Sequence, residues 1–228
     1  MFVVTADQVG SRRDSDRTGA LIETLARAHG DELLLPPDQT AGDEIQLVTA
    51  SAAAALAIAL DTTRTGRWSV GLGVGGIRMP LPDATRKATG PAFIAARDAV
   101  EAAKRADGRF ALRAADVGTA PVSAADAEAL VRLLVLLRER RTDPGWEVVD
   151  LMDAGHLQKE AATILDVTAA AVSARLKSAM WRPEREARPA LVRLLEHLDA
   201  AASGDDVGAD RYTARSRQSP VAAPEGVS

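Results

Sequence analysis

The chain has 228 residues, 46% of them hydrophobic and 26% charged, with a formal net charge of −4, a balance that excludes a wholly disordered or fibrous chain. Its longest apolar run, Ala52 to Leu60, has nine residues against the ~20 that a membrane span needs, and three Trp, three Phe and one Tyr disfavour an aromatic platform for single-stranded nucleic acid. The lack of cysteine rules out disulfides, thiolate metal sites and cysteine nucleophiles, and Phe2-Val3-Val4, with no basic residue before it, is too short for a signal segment, so the chain reads as cytoplasmic with no membrane partner.

Taken in order, residues 1–116 alternate between strand and helix patterns. Phe2 to Thr5 is a β-prone run, with Asp7 just past it and Gly10-Ser11 as punctuation. Asp16 to His29 places Leu21, Leu25 and Ala28 on one helical face. Glu32 to Leu35 and Ile45 to Thr49 flank Ala41-Gly42-Asp43-Glu44 and read as a hairpin. Ser51 is a candidate N-cap for an alanine-rich helix. Trp68 to Met79 alternates as a strand, Gly90 to Arg105 is helical with Ile94, Ala95 and Val100 inward, and Arg109 to Ala114 is a last strand. The order β-α-β-β-α-β-α-β implies an α+β fold, a palm-like or ferredoxin-like sheet with helices on one face.

From 121 to 202 no strand pattern occurs. Ser123 to Arg141 is a helix with a stripe of Leu130, Leu133, Leu134 and Leu137, a break follows at Thr142-Asp143-Pro144-Gly145, and a helix from Pro183 to about Ala201 closes the segment. This all-α half reads as a second domain, and residues 203–228, rich in Gly, Asp, Ser and Pro, as a disordered tail. Residues 1–120 carry 14 basic and 15 acidic side chains and residues 121–228 carry 14 and 17, so any basic face is local.

If the first strand and the hairpin are neighbours, Asp7, Asp43 and Glu44 gather at one sheet edge, where carboxylates repel unless a cation neutralises them. Mg²⁺ or Mn²⁺ shared with a substrate phosphate would suit such a site. Equally, Asp43-Glu44 can simply favour the turn and Asp7 cap a loop. The glycines at 71, 73, 75 and 76 lie inside a strand pattern with no helix directly after them. That excludes a dinucleotide fingerprint and points to close approach by a neighbouring helix or a ligand. Arg78, Arg86, Lys87 and Arg97 are candidate phosphate contacts or solvated surface.

Thr5-Ala6-Asp7-Gln8-Val9-Gly10-Ser11-Arg12, Gly42-Asp43-Glu44-Ile45-Gln46, Gly71-Leu72-Gly73-Val74-Gly75 and Gly90-Pro91-Ala92-Phe93 with Ala96-Arg97 together resemble the SatD family. More remotely, the element order and the acidic positions are similar to the palm of GGDEF-type and class III nucleotide cyclases. That resemblance implies Asp7 and Glu44 as metal ligands, Asp43 as a supporting or additional ligand, and Gly10, Ser11, Arg12 and Arg13 near phosphates, with Arg97 as a further phosphate contact. Two departures stand out: Ala41 replaces the first Gly and Ile45 the Phe of the GGDEF pattern; such a site could hold a nucleotide without turning it over.

Gln158 to Leu176 carries Ala162 on a first helix, Leu165 at its end, Asp166 where Gly is usual, Val167 at the corner, Thr168 as N-cap, and Val172 and Leu176 facing inward. This resembles MarR-like and sigma-type helix-turn-helix segments, which place the second helix in the major groove. Thr168, Ala169, Ala170, Ser173, Arg175 and Lys177 then form the DNA-facing side, with six basic residues against two acidic ones from Arg175 to Arg193. The alternative is a hairpin used for packing. His29, His156 and His197 lack metal-ligand neighbours in sequence and read as surface residues, and no nucleophile-elbow motif occurs. The expectation is a dimeric regulator of duplex DNA whose palm-like domain binds a metal and a nucleotide or similar phosphate ligand. The rival is a metal-dependent nucleotidyl cyclase or transferase with a helical partner-binding module.

Overall fold

A computed structural model describes residues 1–11, 17–40, 42–115 and 123–202; Arg12, Arg13, Ala41 and the expected tail 203–228 lie outside the described residues. The β-prone segments pair as one sheet of order β2-β3-β1-β4-β5, formed by β1 (Phe2–Gln8), β2 (Leu33–Gln39), β3 (Glu44–Thr49), β4 (Trp68–Val74) and β5 (Phe110–Ala114). β1 runs antiparallel to β3 and β4, and β2 antiparallel to β3. This is the split βαβ order of the ferredoxin-like arrangement, so the α+β class expected from the sequence is the class observed. β5 joins parallel to β4 across α3 (Pro91–Ala103), as a crossover connection requires.

Strand alternation sends one set of side chains to each face. Phe2, Val4, Ala6, Ile45, Leu47, Val70 and Leu72 pack with α2 (Ala52–Thr63) and two later helices, α4 (Ala124–Glu139) and α8 (Trp181–Ala202). Val3, Val48 and the Gly71–Gly73 segment meet α3 on the other face. The sheet is thus covered on both faces, not on one as the strand-helix pattern suggested. The reason is visible in β4: a Cβ at Gly71 would stand 2.7 Å from the Ala96 carbonyl and closer still to the Val100 amide, so glycine lets α3 settle directly on the strand. The same packing turns Ala92, Ala96, Ala99 and Val100 inward and leaves Ile94, expected inside, 68% exposed.

The apolar clusters do not divide at the 1–116 and 121–202 segment limits. Ala127, Val131, Leu134 and Val135 of α4 and Leu191, Leu195 and Leu198 of α8 belong to the core of the sheet; of the leucine stripe, Leu130 and Leu133 point outward. Between these two helices, α5 (Asp143–Asp153), α6 (Gln158–Ile164) and α7 (Ala169–Ser178) close around a separate core of Val148, Val149, Ala161, Val172, Leu176 and Ala179. Local signals set the helix starts. Ser51 caps α2, and Ser123 and Asp126 form a reciprocal capping box on α4. Thr142, expected in a break, accepts the Gly145 N–H and opens α5. Among the described residues, no helix is long and apolar enough to cross a membrane.

Candidate functional site

The acidic residues named from the sequence converge. β1 extends through Asp7 to Gln8, and Asp7 pairs directly opposite Glu44, which puts both carboxylates on one face with Cβ atoms about 4.5–5.5 Å apart. Asp43 sits in the adjoining turn; its carbonyl accepts the Gln8 N–H at 3.3 Å. The charge on this edge is balanced by a residue that sequence reasoning missed. Lys104, one residue past α3, places Nζ 3.1 Å from Asp7 Oδ2 and 2.7 Å from Glu101 Oε1. Burial raises the Asp7 pKa above its ordinary value against the lowering pull of Lys104, and the Asp43 and Glu101 charges add to the rise. Burial opposes the Lys104 charge, but Glu101 and Asp7 outweigh it and hold that ammonium above its usual pKa. Glu44 Oε1 accepts the Thr40 hydroxyl at 2.7 Å and the Gln46 amide at 3.3 Å. Asp7 and Glu44 share one sheet edge, yet both carboxylates are already engaged, and a divalent ion would have to displace an ammonium. Among the described residues, no group of three or more His, Asp or Glu is arranged to hold a metal.

The expected phosphate residues separate. Gly10, at φ 71°, and Ser11 lie in the turn after β1. Arg97 lies on α3 and lines a cavity with Arg78 and Arg86 that Gly10 and Ser11 do not reach.

The helix-turn-helix geometry is present. Asp166 adopts φ 51° at the turn, the left-handed conformation for which Gly is usual and Asp tolerated. The Thr168 hydroxyl accepts the Ala171 N–H at 3.1 Å and caps α7. Ala161 (not Ala162) is the fully buried small residue at the crossing, and Val172 and Leu176 face the core with it. Thr168, Ala169, Ala170, Ser173 and Lys177 are exposed. Arg175 departs from that face: it is partly buried and reaches Glu147 of α5 at 3.5 Å. The basic surplus does not form one face either, because Arg188 turns inward to Glu184 with a 2.6 Å contact.

Where the three-helix module meets the sheet layer, charge is buried. Glu184, 4% exposed, accepts from Arg138 at 2.6 Å, from Arg188 and from Arg141, whose Nε also donates to the Ala179 carbonyl at 2.8 Å. Burial disfavours ionised Glu184, yet the pull of Arg138, Arg188 and Arg141 outweighs it and keeps its pKa below the ordinary glutamate value. The Trp146 ring lies under Arg64, Arg138 and Arg141, with centroid distances of 3.9, 4.8 and 4.7 Å, and Arg64 forms a two-pronged pair with Asp150 at 2.8 Å. A cavity of about 990 Å³ opens at this junction. His29 lines it and is no isolated surface residue: Asp61 and Glu32 stand 3.3 and 3.7 Å from its ring nitrogens. The Asp61 hydrogen bond raises the His29 pKa despite burial. Glu184–Arg188 and His29–Glu32 are local pairs at i,i+4 and i,i+3, but the pairings of Glu184 with Arg138 and Arg141, of Arg64 with Asp150 and of His29 with Asp61 join distant segments and have no local sequence signal.

No protein-family model, curated protein or solved structure matches the chain.

Proposed function

We propose that the chain is a duplex-DNA-binding transcriptional regulator in which the α5–α7 module reads DNA and the α/β body binds a small phosphate-bearing ligand, a nucleotide being the first candidate. The observation that carries the DNA reading is the solvent-facing side of α7. Thr168, Ala169, Ala170, Ser173 and Lys177 stand clear of the module core while Val172 and Leu176 anchor the helix behind them. A helix so presented fits a major groove, its small side chains allow close approach, alanine methyls can touch thymine methyls, and Ser173 can bond a base edge or phosphate. Lys177 and Arg175 supply phosphate contacts, Arg175 once it exchanges Glu147 for the backbone. One such helix gives modest affinity, so the active species is a homodimer on paired half-sites about 34 Å apart.

Mobility shifts with random duplexes across a salt series test this reading. Retention that falls as salt rises, and that is lost in Ala170→Glu and Lys177→Glu, supports it; unchanged retention in both variants refutes it. Light scattering of the free and DNA-bound protein tests the dimer.

The register of Asp7 with Glu44 favours a second reading, a Mg²⁺- or Mn²⁺-dependent nucleotidyl enzyme. In that reading Asp7 and Glu44 would hold the ion and Asp43 would support them, the ion supplying charge neutralisation at phosphate. Turnover of labelled triphosphates that disappears in Asp7→Asn and Glu44→Gln would support the enzyme over the regulator.

A further inference from the structure

We propose that the cavity between α3 and the segment 77–90 is a binding site for an organic phosphate, a phosphate ester with an apolar or flat remainder. The inference rests on reading the α/β body as the ligand-binding part of the chain and adds where the ligand sits and which side chains take it; it does not rest on DNA binding.

The cavity has a volume of about 850 Å³, within the range of about 300–1,000 Å³ typical of small-molecule sites. Three guanidiniums from three separate segments line it: Arg78 after β4, Arg86 in the short turn Thr85–Lys87, and Arg97 on α3. Arg86 is fixed by Asp38, with Nη1 2.9 Å from Oδ1 and its backbone N–H 3.2 Å from Oδ2. Arg78 and Arg97 form no direct ion pair among the described residues, although Arg97 stands near enough to Glu101 to help lower its pKa. Asp98 is the acidic lining residue. Like charges held around one concavity are unfavourable unless an anion joins them, and guanidinium forks match phosphate oxygens in pairs. With Arg86 neutralised by Asp38, Arg78 and Arg97 remain as the two guanidiniums without an ion pair, and two such forks suit the double charge of a phosphate monoester better than a single carboxylate.

Backbone at the start of α3 cannot do this work, since its first N–H groups are spent. Ala92 donates to the Gly76 carbonyl at 3.1 Å, and Phe93 and Ile94 donate to Gly90 at 3.0 and 3.3 Å; the residue before them is proline. The arginines must therefore hold the anion. Beside the arginines the α3 side of the wall is apolar: Ile94 is 68% exposed and Phe93 is half-buried beside it, an outward isoleucine on a helix whose other face is packed. A wall of that kind selects an organic ester over inorganic phosphate. Thr40 and Gln46 line the same cavity and both bond Glu44, so the ligand lies one hydrogen bond from the Asp7–Glu44 edge.

Calorimetric titration of the full chain in EDTA tests the site, with adenosine monophosphate, glucose 6-phosphate, inorganic phosphate and adenosine as probes. At least one ester binds, more tightly than inorganic phosphate and far more tightly than adenosine. Arg78→Gln with Arg97→Gln weakens it at least tenfold, while the ligand-free melting curve is unchanged because both residues are exposed and unpaired. Preference between the two esters distinguishes a nucleotide from a sugar phosphate. Equal binding by the double variant, or inorganic phosphate binding as tightly as either ester, overturns the proposal. Binding that requires Mg²⁺, ignores the arginine changes and is lost in Asp7→Asn also overturns it, while leaving the ligand-binding role of the body intact at the carboxylate edge. No binding by any probe with or without Mg²⁺ removes both.

Discussion

Substituting Glu184 should cost the fold far more than substituting any surface acid. The carboxylate is the shared acceptor of Arg138, Arg141 and Arg188, and two of those partners are nearly sealed, with side chains 5% and 1% exposed. Glu184→Gln keeps the shape but takes the counter-charge from buried Arg141 and leaves Arg138 only the half-exposed Asp61 at 3.4 Å, and removal of one partner from a buried pair costs about 3–5 kcal/mol. Against a total stability of about 5–15 kcal/mol, and at about 2–4 °C per kcal/mol for a chain of this size, the variant should melt about 6–20 °C below the parent. Circular dichroism during thermal and urea unfolding measures it. Arg188→Gln, whose side chain is 34% exposed, is the control and should cost less than about 1 kcal/mol, as partly solvated pairs do. The sign of the pH dependence follows from the depressed Glu184 pKa. Its contribution is present above the ordinary value of 4.5 and is lost as pH falls through the lower folded value, so the gap between parent and variant should close in acid. A Glu184→Gln protein within about 1 kcal/mol of the parent at neutral pH would refute the reasoning.

Three further outcomes are expected. Gly73→Ala should destabilise by about 1–3 kcal/mol or more, because its Cβ would stand 2.7 Å from the Ala96 Cβ and closer to α3 backbone, whereas Gly76→Ala meets nothing within 4 Å and should be neutral; chemical unfolding of the two compares them. Lys104→Met removes the ammonium from Asp7 and Glu101 and should tighten Mn²⁺ binding at the carboxylate edge at least tenfold, read by electron paramagnetic resonance; no gain argues against a latent cation site. His29, whose pKa is raised above 6.5 by Asp61, contributes stability that is complete below that value and fades as pH rises through the folded pKa, so His29→Gln should flatten the fall in melting temperature above pH 6.5.

In the sequence Asp7 stands just past the first strand and Asp43 and Glu44 at the hairpin turn, so their gathering at one edge was conditional on those strands being neighbours; the pairing of β1 with β3 meets that condition. Val172, Leu176 and the Thr168 cap likewise made the helix-turn-helix legible, since its spacing is local. Gly71 and Gly73 signalled a close approach, and α3 supplies it. What stayed hidden depended on distant segments. Lys104 reaches Asp7 only after the crossover has brought α3 across the sheet, and a lysine at a helix end has no pattern that names its partner. The apolar stripe of α4 showed that something covers it but not that the sheet does, so a change in composition at 121 read as a domain limit. Arg138, Arg141 and Glu184 carry no sequence pattern that joins them, because their burial depends on one another.

The α5–α7 module leaves the body after α4 and returns to it at α8, both of which are packed on the sheet. It is therefore tethered at two points rather than hung from a single linker. A two-point tether forbids free swivelling and leaves a flap-like tilt about the line joining the two crossings. The grip of Arg64, at the end of α2, on Asp150 of α5 adds a side-chain tie between body and module besides the two chain crossings. Any reorientation of α7 relative to the sheet is confined to this one degree of freedom, and in the proposed dimer on DNA two copies would have to tilt together.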